Sequence, residues 1–390
     1  MIQTSQLVEP GFEQLAAVFR SLFDQPGRGG ALSVYIDGRP VIDVWEGEKR
    51  LGVAWTPGTL VCGFSTGKGL LALIAEILVD RGQLDIDKRV AEYWPEFSQS
   101  GKGDILVKHL LTHQAGLPFW DGQAELVSLD DPGSFLRTPE IVAALEKAQP
   151  QWEAGSAFGY HSFTMGWLMG ELIRRVSRKS VERFLLEDVA APLGARFRWG
   201  VPATDQHLLA NTIPDPAYDS DETFAVFNSQ TPSGRALMLG PKRRLGTAMH
   251  ESINDSTYRQ AVVASAGLQT DAASLARLYA LLAQGGELDG CRLVSAESIA
   301  LFTEERFNGP DIYQPQFMRV GLGYMLNRLG TDFEFCPSPS GFGHPGLGGA
   351  TGFADPDAKV GFGFVPNQMV MAPGADPRAK LLATTLYEKL

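Results

Sequence analysis

Cysteine is scarce in this 390-residue chain: Cys62, Cys291 and Cys336 are all there is. Three scattered thiols build neither a disulfide framework nor a zinc cluster, and they fit a cytoplasmic protein with reduced thiols. No uninterrupted apolar run approaches a membrane span. The start, from Met1 to Pro10, lacks the basic and apolar stretches of a secretory leader. Positive charge is in deficit, with 34 Lys and Arg against 45 Asp and Glu and a formal net charge of −11. That balance argues against nucleic acid and against anionic membrane surfaces as partners. Repeats and low-complexity tracts are missing too, which excludes solenoid architectures. What remains is the composition of an ordinary globular protein, 44% hydrophobic and 20% charged, long enough for one large core or two domains.

Within that chain one stretch carries chemistry. A short apolar run, Leu60 to Phe64, leads into Ser65-Thr66-Gly67-Lys68. Leu70, Leu71, Leu73, Ile74, Ile77 and Leu78 then follow at helical spacing, closed by Arg81-Gly82. Ser65 is thus expected at a helix N-terminus, with Lys68 one turn on and on the same face. The free N–H groups and the dipole of that terminus favour negative charge beside the serine. A serine nucleophile needs a nearby base and a stabilised oxyanion, and this placement offers both. Bringing a lysine from its usual ~10.4 to near 7 costs about 4–5 kcal/mol. The reading therefore expects Lys68 to be enclosed. The same serine satisfies G-x-S-x-G, as Gly63-Phe64-Ser65-Thr66-Gly67, the nucleophile elbow of α/β-hydrolases, whose base would be a distant histidine such as His344.

The rest of the chain weighs against that second reading. An amphipathic helix through Phe12, Leu15, Phe19 and Phe23 precedes a hairpin, Leu32–Ile36 and Val41–Trp45 around Asp37-Gly38. An α/β-hydrolase needs several strands and crossovers before its serine, and 64 residues do not supply them. From 85 the pattern is mostly helical. Leu110-Leu111 end a helix at Gly116 and Pro118, and His113 reads as a histidine bonding a nearby carbonyl at that helix end. A Gly-rich loop, Trp152 to Ser162, delivers aromatics and hydroxyls just before the helix of Trp167, Leu168, Leu172 and Ile173. Between 198 and 258 prolines break the pattern, so long loops with short helices are expected there, forming a flap. After Asp271 a capped helix and then strands follow, Val320–Leu326, Gly348–Ala354 and Val360–Val365, before a last helix from Asp376-Pro377. Strands and helices at both ends with helices between predict an α+β domain, 1–84 with 262–390, and a mostly helical insertion, 85–261.

Three stretches now line up in order: Ser65-Thr66-Gly67-Lys68, Tyr160-His161-Ser162 and His344-Pro345-Gly346. With Leu110 to Leu117 and Gly343 to Pro356, they make the chain resemble the serine β-lactamase and penicillin-binding-protein group, in its class C branch. Within that branch it is most similar to the family VIII carboxylesterases. The resemblance covers nearly the whole chain except about 198–258. It implies an antiparallel sheet flanked by helices plus the mostly helical domain. It further implies Ser65 as nucleophile, Lys68 as its base partner and Tyr160 as the proton shuttle, with the N–H groups of Ser65 and Leu347 as oxyanion hole. Trp120, Phe119, Phe158, Ser162, His344 and Gly346 are expected at the substrate. The departures are informative. His344-Pro345-Gly346 stands where penicillin-interacting members carry K-T-G, and Ser162 replaces an amide. Proline has neither a side-chain donor nor an N–H, so the grip on an anionic ring substituent is lost.

The resulting expectation is a serine carboxylesterase working through an acyl-enzyme, without metal or other cofactor, on a small-molecule ester. The sequence assigns it no oligomeric state. Crowding by Phe119, Trp120, Trp152 and Phe158 predicts short acyl groups, because extra methylenes discriminate by about 1–3 kcal/mol in an apolar pocket. Rival readings are a β-lactamase, peptidase or acyltransferase on the same scaffold, or a non-catalytic binding protein.

Overall fold

The N-terminal hairpin finds its partner at the other end of the chain. In the computed structural model, which describes residues 5–240, 243–314, 316–372 and 374–390, Gly29–Ile36 pairs antiparallel with Arg39–Arg50 on one side and with Val360–Pro366 on the other. Residues 1–4, part of the Met1 to Pro10 start, and Pro241 of the proline-broken region lie outside the described residues. The main sheet continues from Val360–Pro366 through Thr351–Asp355, Phe342–Pro345, Met325–Leu326 and Phe317–Val320 to Phe307–Pro310, each pairing antiparallel. Leu7–Val8 extends it beyond Arg39–Arg50. The run read as one strand, Val320–Leu326, is instead the tight connection between two, because Gly321 and Gly323 turn the chain back on itself. In the same way Gly348 and Gly349 belong to a turn, and the strand begins at Thr351.

Both faces of the sheet are covered. Helices Glu13–Arg20 and Pro377–Tyr387 pack on one, burying Leu15, Phe19, Leu382 and Leu386 against Leu32, Val34, Phe362 and Phe364. Helix Ala272–Ala283 lies across the other. Beyond it comes the Thr66–Asp80 helix, in which every residue from Thr66 to Leu78 is buried. A helix buried all round needs partners on every side. It has the Thr164–Ser177 helix on one flank and the Phe342–Pro345 strand on another. From residue 85 to 261 the described structure is helices, turns and loops, and short helices such as Leu245–Asn254 break up the 198–258 region. The Ser65 helix therefore lies at the seam between sheet and helical block.

Candidate active site

Ser65 follows the strand Val61–Phe64, which pairs with Leu268–Thr270 in a small sheet of its own, with a bulge between Cys62 and Phe64. The serine has helical angles, φ −70° and ψ −4°, and begins the Thr66–Asp80 helix. Phe64 before it is held left-handed at φ 49°, which costs a non-glycine residue about 1–2 kcal/mol. Packing from the 346–348 turn holds this conformation. A Cβ on Gly346 would lie 2.2 Å from the Gly63 carbonyl oxygen, and one on Gly348 would lie 2.4 Å from the Phe64 ring. Only bare backbone fits against the serine there. Among the described residues, neither the Ser65 nor the Leu347 backbone N–H has an acceptor, so both donors are available to an oxyanion.

Lys68 is fully buried. Its Nζ lies 2.8 Å from the Ser162 carbonyl oxygen, 2.9 Å from that of Ser265 and 3.2 Å from Ser65 Oγ. No carboxylate pairs with it among the described residues, and burial holds it well below the usual lysine range. A neutral amine has two N–H bonds and one lone pair. As placed, all three neighbours are acceptors for Nζ, Ser65 Oγ included; once the amine is neutral, the two carbonyls can hold its two N–H bonds and the lone pair can face the Ser65 hydroxyl. A lysine so placed is a candidate base for the serine proton.

Tyr160 completes the group. Its ring centroid is 4.7 Å from Lys68 Nζ and 4.6 Å from the His113 ring centroid. Burial raises its hydroxyl above the usual tyrosine range, and the nearby Ser65 hydroxyl opposes that shift. Tyr160 Oη is 3.4 Å from His344 Nε2, while His344 Nδ1 is 2.8 Å from the Pro345 carbonyl oxygen. Donation of Nδ1–H to that carbonyl leaves Nε2 as an acceptor for the tyrosine. Burial, with Lys68 nearby, pulls His344 down to about 3, so it is neutral. His344 thus faces the tyrosine from behind and does not line the substrate cavity. His113 departs from its expected bond to a carbonyl. It sits at φ 58° and its Nδ1 accepts the His161 N–H at 3.1 Å, close behind Tyr160.

Ser65, Tyr160, Ser162, Gly346 and Leu347 open onto a cavity of about 470 Å³. Its walls are largely apolar: Phe227, Leu237, Leu245, Met249 and Ile253 from the 198–258 region, and Met318, Met325, Phe333 and Met371 from the sheet side. The Ser162 hydroxyl is buried there without a partner among the described residues. No lysine, arginine or histidine among the described residues lines the cavity, and its one acid, Asp376, is held by Arg378 at 2.7 Å. Among the described residues no three His, Cys, Asp or Glu side chains converge as a metal site requires.

Three expected substrate contacts are elsewhere. Trp120 packs edge-on against Trp167 in the helical core, Phe119 lies under the Arg235 guanidinium, and Phe158 stacks on Phe307 at 4.7 Å. Each finds more apolar contact in the core than a solvent-filled cavity provides. The crowding on which the short-acyl expectation rested is therefore absent. Trp120→Ala is expected to lower stability by about 3–5 kcal/mol and to leave the octanoate-to-acetate rate ratio within about twofold. Thermal melts and the two rates check this, and a widened acyl range would return Trp120 to the pocket. Conversely, the Ser162 and Ser265 carbonyls and the methionine walls went unnoticed in the sequence: Ser162 was singled out for its side chain, and neither Ser265 nor the methionines belong to a motif.

Known proteins resemble this chain in sequence and in fold. The profile of the Beta-lactamase family matches residues 15–386. The chain is 33% identical over 381 residues to the esterase/beta-lactamase LipL of Mycobacterium tuberculosis, covering 93% of this chain and 82% of that protein. Among solved structures, a family VIII carboxylesterase superposes with a TM-score of 0.86 at 33% identity over the full length of both chains. A penicillin-binding-protein homologue from Caulobacter crescentus superposes at 0.82 and 32% identity, over 99% of each.

Proposed function

Because the chain belongs to the Beta-lactamase family of serine hydrolases, with the fold of the β-lactamases and penicillin-binding proteins, we propose that it is a serine carboxylesterase, acting on neutral esters with apolar acyl groups. The observation that carries this reading is the lining of the cavity at Ser65, apolar and without a cationic side chain among the described residues. A β-lactam or a peptide C-terminus presents a carboxylate that such a wall leaves unpaired, at a large desolvation cost. His344 and Pro345 replace the lysine and hydroxyl that would serve it, and His344 is neutral. The names of LipL and of the family VIII carboxylesterase agree with ester chemistry.

In this mechanism the Lys68 lone pair takes the proton as Ser65 Oγ attacks the ester carbonyl. The oxyanion rests on the Ser65 and Leu347 N–H groups, each donor worth about 3–4 kcal/mol. Tyr160 passes its phenolic proton to the departing alcohol and takes in its place the one held by Lys68, which returns the pair to its starting state. Water, deprotonated by the same pair, then releases the acid and restores Ser65. No step calls for a metal or other cofactor. A cytoplasmic setting, read from the three thiols, belongs to the same proposal; all three are free, and among the described residues no helix is long and apolar enough to cross a membrane.

With Trp120 and Phe119 in the core, the cavity admits acyl chains longer than butyryl. The flexible thioethers of Met249, Met318, Met325 and Met371 adapt to them. A panel of 4-nitrophenyl esters from acetate to laurate, run beside nitrocefin, tests both points. Hexanoate and octanoate are expected to exceed acetate in kcat/KM, and Met249→Trp is expected to reverse that order by about 10–100-fold. Acetate as the best ester of the unaltered enzyme would sink the acyl-length reading. Nitrocefin turnover equal to the best ester would favour the β-lactamase reading instead.

A further inference from the structure

Three consecutive backbone N–H groups hold the segment that carries Tyr160. Gly159 N–H donates to the His113 carbonyl oxygen at 3.2 Å and His161 N–H to His113 Nδ1 at 3.1 Å. The middle one, of Tyr160 itself, points the other way and donates to Asp311 Oδ2 at 2.9 Å. Asp311 is 7% exposed and forms no ion pair among the described residues. Its second oxygen accepts from the N–H groups of Tyr313 at 2.8 Å and Gln314 at 3.0 Å. Its own N–H reaches the Gln316 carbonyl at 2.9 Å, and Ile312 N–H reaches the Phe158 carbonyl at 3.0 Å. One buried carboxylate thus joins the tyrosine's main chain to Gln314 and Gln316, two residues that line the cavity at Ser65.

We propose that Asp311 is the positioning residue for Tyr160 and that it links the tyrosine to occupation of the substrate cavity. The idea rests on the reading of Tyr160 as the proton donor to the leaving alcohol. A buried carboxylate with no cation beside it loses much of its hydration. Its three charge-assisted bonds to N–H groups are the compensation, and such bonds are short and directional. They set where the Tyr160 backbone sits. The ring, wedged between His113 and Lys68, follows the backbone, and so does the distance from Oη to Ser65. Trp152 and Tyr313 flank the same segment: a Cβ on Gly159 would lie 2.6 Å from the Trp152 ring and 3.2 Å from that of Tyr313. A substrate that displaces Gln314 or Gln316 therefore pushes on Tyr160 through Asp311.

Asp311→Asn tests this, because the amide keeps the shape but presents a donor where the carboxylate accepts. The measurement is kcat and KM per titrated Ser65, for an ethyl and a 4-nitrophenyl ester of one acid. Nitrophenolate leaves without protonation, whereas ethoxide needs the tyrosine's proton. A displaced Tyr160 is expected to lower kcat for the ethyl ester by about 10–100-fold. The nitrophenyl ester should lose far less, with KM little changed. Damage that is merely structural would lower melting temperature and the titratable fraction, and leave kcat per site and the ratio of the two esters unchanged. That result overturns the proposal. Asp311→Ser, which retains one acceptor oxygen, takes the place of the asparagine variant if that one does not fold, with the same expectation. Tyr160→Phe is measured alongside. If it loses the ethyl ester selectively and Asp311→Asn does not, the positioning role alone is wrong. If Tyr160→Phe hydrolyses both esters like the unaltered enzyme, the proton-donor reading fails and the positioning role with it.

Discussion

Ser65→Ala is expected to lower kcat on a simple ester by about 10⁶-fold, the scale on which a serine nucleophile is lost elsewhere. Lys68→Met should come within about tenfold of it, and the double variant should be no worse than either. The reason is that the two side chains act as one device. Lys68 Nζ, 3.2 Å from Ser65 Oγ and tied by two carbonyls, is held where it can serve that hydroxyl. A fluorophosphonate that forms a covalent adduct with the unaltered protein should leave Ser65→Ala unmodified by mass. Lys68→Met should react very slowly at neutral pH. Activity requires the neutral amine, so kcat/KM falls as pH drops through the Lys68 pKa. Burial has moved that pKa well below the lysine range, and no rise in rate near pH 10.5 is expected. Multiplying losses in the double variant would mean that serine and lysine work independently, and the proposed base would be wrong.

Gly346→Ala is the second large effect. The added methyl would stand 2.2 Å from the Gly63 carbonyl oxygen and 3.3 Å from Phe64 Cβ, both beside the nucleophile. Backbone has to move to relieve such a contact. Moving it shifts Leu347 N–H relative to Ser65 N–H, and a displaced oxyanion donor costs about 10²–10³-fold in kcat. Stability should fall as well, by about 1–3 kcal/mol as for other overpacked sites. Gly103, which has no heavy atom within 4 Å of its would-be Cβ and no left-handed φ, is the control. Gly103→Ala should remain within about 0.5 kcal/mol of the parent and keep full activity. An active Gly346→Ala with an unchanged melting temperature would show that the 346–348 turn has no part in holding the oxyanion.

Much of this protein was legible in the chain itself. Helical spacing after Ser65 placed the serine at a helix terminus and Lys68 one turn on, because i and i+3 share a face in any α-helix. Asp37-Gly38 between two β-rich runs made the hairpin, because that turn suits the twist of the strands. The order of three short motifs pointed to the family and to Tyr160. Each of these is local geometry or residue identity, which sequence carries directly. The placement of large aromatics was not local. Trp120 and Phe158 look the same in sequence whether they line a cavity or fill a core, and only the packing of distant helices and strands put them in the core. Nor has a backbone carbonyl any signature. Ser162 and Ser265 lie 94 and 197 residues from Lys68, yet their carbonyl oxygens accept from its Nζ at 2.8 and 2.9 Å and fix where the amine sits. The sequence by itself determined which groups are the candidates to react. The tertiary structure decided that the lysine's pKa is lowered, because that depends on a burial which only folding brings about.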